Sequence, residues 1–280
     1  MDIKVLKPQH PALRKFIRHF YFLRSETPDF KQSYVTFPQL TIPVSLFAHV
    51  RTHVAADRRQ IMCWDDPNLG PHAEVDGIFT RPILITYKGK IDEVTVVFEP
   101  LGLNQFLNCD LVDVAVGPAS RDFNPYGPEF DQFLKHLFAL NSIDQRCRLL
   151  EAFFLDHYRP FAQPVLSHSF KSLIDSDHKM PISQIARSVG VSHKTLTRMF
   201  QRHMGATPVV LRKIARFRRS LELRVGPEAV PRLTQIALLS NYYDQPQFIK
   251  EYRYLTGESP TSFFRHVSAI GNKNIFWRML

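Results

Sequence analysis

The sequence contains few cysteines and no long apolar run. Cys63, Cys109 and Cys147 are far apart and form no CxxC pair, which argues against a disulfide framework, a structural zinc site and a redox motif. No stretch of 18 apolar residues occurs, and segment 1–20 lacks the apolar core of a signal peptide. Neither a membrane span nor secretion is therefore expected, and we predict a cytoplasmic protein.

The common catalytic and nucleotide-binding motifs are also missing. The sequence has no GxSxG, GxxxxGK[ST], GxGxxG or HExxH pattern, so it lacks the residues of hydrolases, P-loop proteins, Rossmann enzymes and zinc proteases. His49, His53 and His72 do not have the His-x-His spacing of a metal-binding cupin. We therefore expect no enzyme activity, no catalytic residue, no metal and no cofactor.

Charge is unevenly distributed along the 280 residues. Residues 1–169 hold 18 basic and 19 acidic side chains, whereas residues 170–280 hold 18 and 7, a net charge of +11. This asymmetry predicts a basic part that binds a polyanion, either nucleic acid or an anionic membrane surface, joined to a near-neutral part. A merely solvated basic surface is the alternative.

The basic part contains an internal repeat. The segment "ISQIARSVGVSHKTLTRMF" (182–200) aligns with "LTQIALLSNYYDQPQFIKEY" (233–252), and a Gly-x-[ST]-Pro element follows each copy, at 205–208 and 257–260. Each copy has the apolar spacing of a helix, a turn and a second helix. Such a pair is either a plain helical hairpin or the helix-turn-helix that docks in the DNA major groove; two copies in a basic region favour the latter.

The repeated residues resemble the DNA-binding domain of AraC/XylS-type transcriptional regulators. The first copy carries the resemblance through Ser192, Leu196, Arg198, Phe200, Gly205, Thr207, Pro208 and Leu211, and the second through "IALLSNYYDQPQFIKEYRYLTGESPTSFFR". The resemblance spans about residues 168–266. It implies an all-α domain of two helix-turn-helix modules, joined by a helix from Pro208 to about Val225, that binds double-stranded DNA.

The turn of the second copy departs from the family pattern. Asn241 stands where the family usually has glycine, but asparagine tolerates the left-handed conformation that the turn needs. Asp244 is predicted to be the N-cap of the following helix and to form a capping-box-like pair with Gln247. Pro246 then falls in the first helical turn, where a missing N–H costs little.

Seven polar residues are expected at the exposed starts of the two recognition helices. Arg and Lys read guanine, and Asn and Gln read adenine, at major-groove edges. The expected DNA-binding residues are His193, Lys194, Thr197 and Arg198 in the first helix, and Gln245, Gln247 and Lys250 in the second. The alternative for each is a phosphate contact, which positions the protein without reading the sequence, or simple solvation. Because Pro246 has no polar side chain, we expect the second helix to read fewer bases.

The first 160 residues have a different composition. Segments 34–50 and 82–100 are β-branched and aromatic and are interrupted by Pro and Gly, and "YKGKIDEVTVVF" (87–98) alternates as a hairpin or meander does. Segment 129–158 has helical spacing. A small β-barrel followed by helices is expected, which resembles the cupin-like sensor and dimerisation domain of many AraC-type regulators.

The sequence thus predicts an α+β protein of two domains. Residues 1–160 are expected to form a cupin-like β-barrel with following helices, 161–170 a linker, 171–268 the AraC-type domain and 269–280 a tail. The barrel is expected to sense a small molecule or to mediate a homodimer. The apolar stripe that would form the dimer, or would instead pack on the barrel, comprises Phe130, Phe133, Leu134, Leu137 and Phe138.

The expected function is a sequence-specific bacterial transcription regulator that reads two adjacent major grooves with its two recognition helices, works at the nucleoid and has no membrane partner. Two alternatives belong to other classes. One is a metal-dependent cupin-type enzyme fused to a DNA-binding domain, and the other is a non-specific architectural DNA-binding protein.

Overall fold

The computed structural model describes residues 2–115, 117, 122–175, 180–225, 232–266, 268–270 and 275–280. Within these ranges the strands are β1 Asp2–Leu6, β2 Ile17–Ser25, β3 Lys31–Thr36, β4 Ile42–Phe47, β5 Val50–Val54, β6 Gln60–Asp65, β7 His72–Val75, β8 Ile83–Lys88, β9 Ile91–Phe98, β10 Ser268–Ile270 and β11 Ile275–Met279. The helices are α1 Leu111–Val114, α2 Pro128–Ala139, α3 Ile143–Asp156, α4 Pro164–Asp175, α5 Ile182–Ser188, α6 His193–Met204, α7 Pro208–Val225, α8 Leu233–Leu239, α9 Gln245–Thr256 and α10 Pro260–His266. A sheet-rich N-terminal part therefore precedes a helical C-terminal part.

The described strands form two sheets rather than one closed barrel. The first sheet has the order β1-β2-β9-β4-β7, and the second has the order β10-β11-β3-β8-β6-β5. Neighbouring strands are antiparallel except for the parallel pair β6 and β8. The expected barrel is thus not found among these strands, because residue alternation indicates which face of a strand is buried but not whether its sheet closes.

Strand β9 is buried on both faces. Val94, Val96 and Phe98 point to a core shared with the helices, while Ile91 and Val97 point to a core between the two sheets. This position in the sheet also corrects the expected hairpin at 87–98. Strand β8 pairs with β3 and β6, whereas β9 pairs with β2 and β4, so the chain changes sheets at Gly89, where φ is +77°.

The predicted helices of segment 129–158 are confirmed as α2 and α3. Phe130, Phe133, Leu134 and Leu137 are buried, and they belong to the same core as the first sheet. The apolar stripe therefore packs against the first sheet inside the protein, and it does not form an exposed surface for a dimer. Any homodimer must use a different surface.

The C-terminal strand β11 belongs to the second sheet, beside β3 of the N-terminal part. Trp277 pairs with Thr36 and Met279 with Tyr34 in an antiparallel register. The Trp277 indole is 5% exposed and stacks on the ring of Tyr34, with centroids 3.9 Å apart. Arg278 also forms an ion pair with Glu258 at the start of the last helical segment. Residues 275–280, predicted as part of a tail, thus tie the two parts of the chain together.

The helical part has two cores, one for each predicted module. The first core contains Leu166 and Leu173 of α4 together with Leu196 and Phe200 of α6. Segment 161–170, predicted as a linker, therefore includes the start of a helix that packs on the first module. The second core contains residues of α7, α8, α9 and α10, and Phe37 of the N-terminal part also packs in it.

Candidate nucleic-acid interface

In the first module, a single residue sets each of the turn, the start of α6 and the end of α6. Helix α5 ends before Gly190, whose φ of +73° allows the tight turn. Ser192 caps α6, because its hydroxyl accepts a hydrogen bond from the N–H of Thr195 at 3.0 Å. Gly205, with φ +70°, ends the helix in a left-handed conformation. The sequence-predicted helix, turn and helix are thus all present.

The second module repeats this construction with asparagine in the turn. Asn241 has a φ of +76°, close to that of Gly190, so the left-handed conformation expected for it is confirmed. Asp244 is the N-cap of α9 and accepts from the N–H of Gln247 at 2.7 Å. Pro246 is the second residue of α9, as expected. The return bond of the capping box is displaced by one residue, since the Gln247 side chain accepts from the N–H of Tyr243 at 2.8 Å.

The seven predicted DNA-binding residues lie on the first two turns of α6 and α9. His193, Lys194, Arg198, Gln245 and Lys250 are exposed, and Thr197 and Gln247 are half-buried. On the opposite side of the two helices Leu196, Phe200, Phe248 and Tyr252 are buried in the module cores. Each recognition helix therefore presents a polar face at its N-terminal end.

Gln247 differs from the other six because its side-chain amide is bonded within the protein. Its Oε1 accepts from Tyr243 N at 2.8 Å, and its Nε2 donates to Glu251 Oε1 at 3.1 Å. The same Glu251 oxygen accepts from Arg216 of α7 at 2.7 Å. Gln247 is thus held on α9 by two bonds that a contact with adenine would have to replace.

Sequence reasoning missed Tyr243 as a candidate contact. The ring is 91% exposed and directly precedes the N-cap of α9, whereas its neighbour Tyr242 is 4% exposed. The sequence shows two adjacent tyrosines before Asp244, but only the backbone of the turn shows which of the two rings faces solvent. The exposed phenol is a hydrogen-bond donor suited to a phosphate oxygen.

The N-terminal part contacts the C-terminal ends of both recognition helices. On α6, Arg202 forms an ion pair with Asp110, and the backbone O of His203 accepts from Asn104 at 3.1 Å. On α9, the backbone O of Tyr254 accepts from Arg81 at 2.9 Å. The polar N-terminal ends of the helices are left free by these contacts.

The helical part corresponds to a known domain family. Residues 166–266 match the family described as a helix-turn-helix domain. The C-terminal part of this protein is an AraC-type helix-turn-helix domain. With this domain the protein is a DNA-binding transcription regulator. Residues 5–115 match a domain of unknown function (DUF6597). No curated protein matches the sequence.

Solved structures of ToxT from Vibrio cholerae are similar to this chain at low identity. A 1.65 Å structure has 11% identity and a TM-score of 0.45, over 88% of this chain and 97% of ToxT. Wild-type ToxT bound to an unsaturated fatty acid has 13% identity and a TM-score of 0.45, over 87% and 94% of the two chains. ToxT bound to (E)-4-(8-methylnaphthalen-1-yl)but-3-enoic acid has 10% identity and a TM-score of 0.43, over 95% and 99%.

No described helix has the length and apolar composition that crossing a membrane requires. No group of three or more His, Cys, Asp or Glu side chains in the described ranges is placed to hold a metal ion.

Proposed function

We propose that the protein binds a specific DNA sequence by placing α6 and α9 in two successive major grooves. The observation that carries the proposal is the same construction present twice: a left-handed turn residue, a side-chain N-cap and an exposed polar first turn. The 18 residues of α7 join the modules, and a helix of that length spans about 27 Å. Two recognition helices one DNA turn apart need a separation of about 34 Å, which α7 and the module bodies together can supply.

Affinity in this proposal comes mainly from phosphate contacts. The net charge of +11 on residues 170–280 attracts the DNA backbone, and base contacts by the seven predicted residues add sequence preference. Sequence preference separates this function from that of an architectural DNA-binding protein. We assign no catalytic step to the chain, and we place its action in the cytoplasm at the nucleoid.

The proposed control acts through the N-terminal part. Because Asp110 and Arg81 contact the C-terminal ends of α6 and α9, a change in the N-terminal part alters the relative position of the two recognition helices. A small molecule that binds the protein, or a second copy of the chain, would supply such a change. The stripe on α2 is buried, so a homodimer would form through another surface.

The electrostatic part of the proposal is tested by the salt dependence of binding. We expect the affinity of the full chain for a DNA site selected from random sequences to fall with a log–log slope of about −5, which corresponds to about six neutralised phosphates. Fluorescence anisotropy between 50 and 300 mM salt measures the slope. An unrelated duplex should show a similar slope at lower affinity, since phosphate contacts are shared. A flat response would contradict the electrostatic account.

A further inference from the structure

A cavity of about 530 Å³ lies between the N-terminal part and the joining helix α7. Its size is that of a site for a small organic molecule. The spaces between the two sheets are far smaller, about 50 and 40 Å³ in the described residues, and so hold little more than a water molecule. The interior of the N-terminal part, where aromatic side chains pack as core, is therefore not the place for an effector.

The cavity has a basic wall and an apolar wall. The basic wall consists of Arg18, Arg212, Arg216, Arg218 and Arg219, and the apolar wall includes Leu40, Pro100, Phe170, Leu173 and Ile174. The carboxylates that line it are Glu99, Asp175 and Glu222. Five arginines against three carboxylates leave the lining positively charged. Four of the arginines are on α7, so much of its basic charge faces this cavity.

Part of the positive charge is not neutralised by the protein. Arg18 forms a two-bond ion pair with Glu99, but neither Arg212 nor Arg219 has an ion-pair partner among the described residues. Burial lowers the pKa of Arg212, as expected for a cation that lacks a counter-charge. These two guanidinium groups can therefore accept a negative charge from a ligand.

Three buried polar atoms at the cavity also lack a hydrogen-bond partner. They are Nε of Arg212, Nε of Arg216 and Oγ of Ser240, all of them without a partner in the described part of the chain. Ser240 is completely buried. A buried donor without an acceptor destabilises a protein, and an anion in the cavity would supply acceptors to these groups.

The cavity is connected directly to the second recognition helix. Ser240 and Asn241, which line it, form the turn before α9. Arg216 donates to Glu251 Oε1 at 2.7 Å, and Gln247 donates to the same oxygen at 3.1 Å. One carboxylate therefore lies between an arginine of the cavity and a predicted base-reading side chain.

We propose that the cavity binds an organic anion with an apolar body, and that the anion draws Arg216 away from Glu251 and so releases Gln247 for contact with DNA. The anionic group is bound by Arg212, Arg216, Arg219 and Ser240, and the apolar body packs against Phe170 and Leu173. Once Arg216 bonds to the anion, Glu251 turns away from Gln247, which frees the Nε2 donor of Gln247 while its Oε1 keeps the bond from Tyr243 N. This inference rests on the proposed small-molecule control and names its site, ligand class and route.

The binding step is tested on the full chain without DNA. Phenyl phosphate is the probe, inorganic phosphate lacks the apolar body, and phenol lacks the charge. By titration calorimetry we expect saturable binding of phenyl phosphate, at least tenfold weaker binding of each control compound, and at least tenfold weaker binding of phenyl phosphate to Arg212→Gln and to Arg219→Gln. Arg219 is exposed, so its replacement leaves the fold intact.

Arg224→Gln is the matched control for this titration. Arg224 is on the same helix but outside the cavity, with its guanidinium 5.6 Å from the ring centre of Phe264. Binding of phenyl phosphate should be unchanged in this variant. No saturable binding, equal binding of inorganic phosphate, or equal losses in all three variants would overturn the proposal.

The coupling step is tested by adding DNA. Phenyl phosphate should raise the preference for the selected site at least fivefold in the wild type, and it should have no such effect in Gln247→Ala, which retains the cavity. An equal effect in both proteins, or none in the wild type despite binding, would overturn the route through Gln247. Loss of sequence-specific binding without any probe would instead reject the proposed function, so the two failures are distinguishable.

Discussion

Replacing Arg198 by lysine is expected to lower the affinity for the selected DNA site by roughly 5- to 150-fold, the equivalent of about 1–3 kcal/mol for one bidentate base contact. Arg198 is exposed on the second turn of α6, and its neighbours Leu196 and Phe200 fix the helix face by their burial. Lysine keeps the positive charge but loses the planar fork that bonds to two guanine atoms at once. Affinity for unrelated DNA should therefore change by less than about twofold.

Arg253→Lys provides the matched control for Arg198→Lys. Arg253 is exposed on α9, but it lies beyond the polar first turns that carry the predicted base contacts. Gel-shift titration of the wild type and both variants against the selected site and an unrelated duplex measures the changes, and we expect Arg253→Lys to leave both affinities nearly unchanged. Equal losses on specific and unrelated DNA in Arg198→Lys would show that Arg198 contacts a phosphate.

Replacing Trp277 by alanine is expected to lower the free energy of unfolding by about 3–5 kcal/mol, the usual range for a buried aromatic residue. The residue follows the DNA-binding domain in sequence, yet its ring lies between the sheets of the N-terminal part, stacked on Tyr34 and perpendicular to Tyr21 at 5.9 Å. Urea denaturation followed by far-ultraviolet circular dichroism measures the change. Because Trp64 on β6 is then the one remaining tryptophan of the sequence, its fluorescence reports on the unfolding of the second sheet.

Met279→Ala is the control on the same strand. Met279 is 38% exposed, so its replacement removes little buried surface and should lower the free energy of unfolding by less than about 1 kcal/mol. Similar losses for Trp277→Ala and Met279→Ala would contradict the placement of the indole between the two sheets.

The parts of the fold that sequence predicted well are those built from local signals. The turn at Asn241 depends on the conformational tolerance of one residue, and the cap at Asp244 depends on an acceptor three residues before a free N–H. Helix spacing likewise placed Leu196 and Phe200 in the first core. These features involve residues within one or two helical turns, so the sequence pattern contains the whole interaction.

The parts that sequence did not predict depend on distant pairings. Nothing local in segment 275–280 indicates that Trp277 pairs with Thr36, and alternation in 87–98 does not reveal that its two strands join different sheets. The ion pair between Arg216 and Glu251 joins positions on two helices. A sequence pattern that predicts each helix separately does not show which side chain a charged residue contacts. That Arg216 and Gln247 bond to the same oxygen of Glu251 is therefore seen only in the structure.

The central claim is that α6 and α9 read two successive major grooves. Its most direct test measures the affinity of the full chain for every single-base substitution of the selected site. We expect two clusters of sensitive positions with centres about 10 base pairs apart, which is one DNA turn. The cluster read by α6 is the one that Arg198→Lys makes insensitive to base substitution. Losses of affinity should be larger in this cluster than in the one read by α9, because α9 has Pro246 in its first turn and a Gln247 side chain bonded within the protein. A single cluster, or small uniform losses at all positions, would contradict the account.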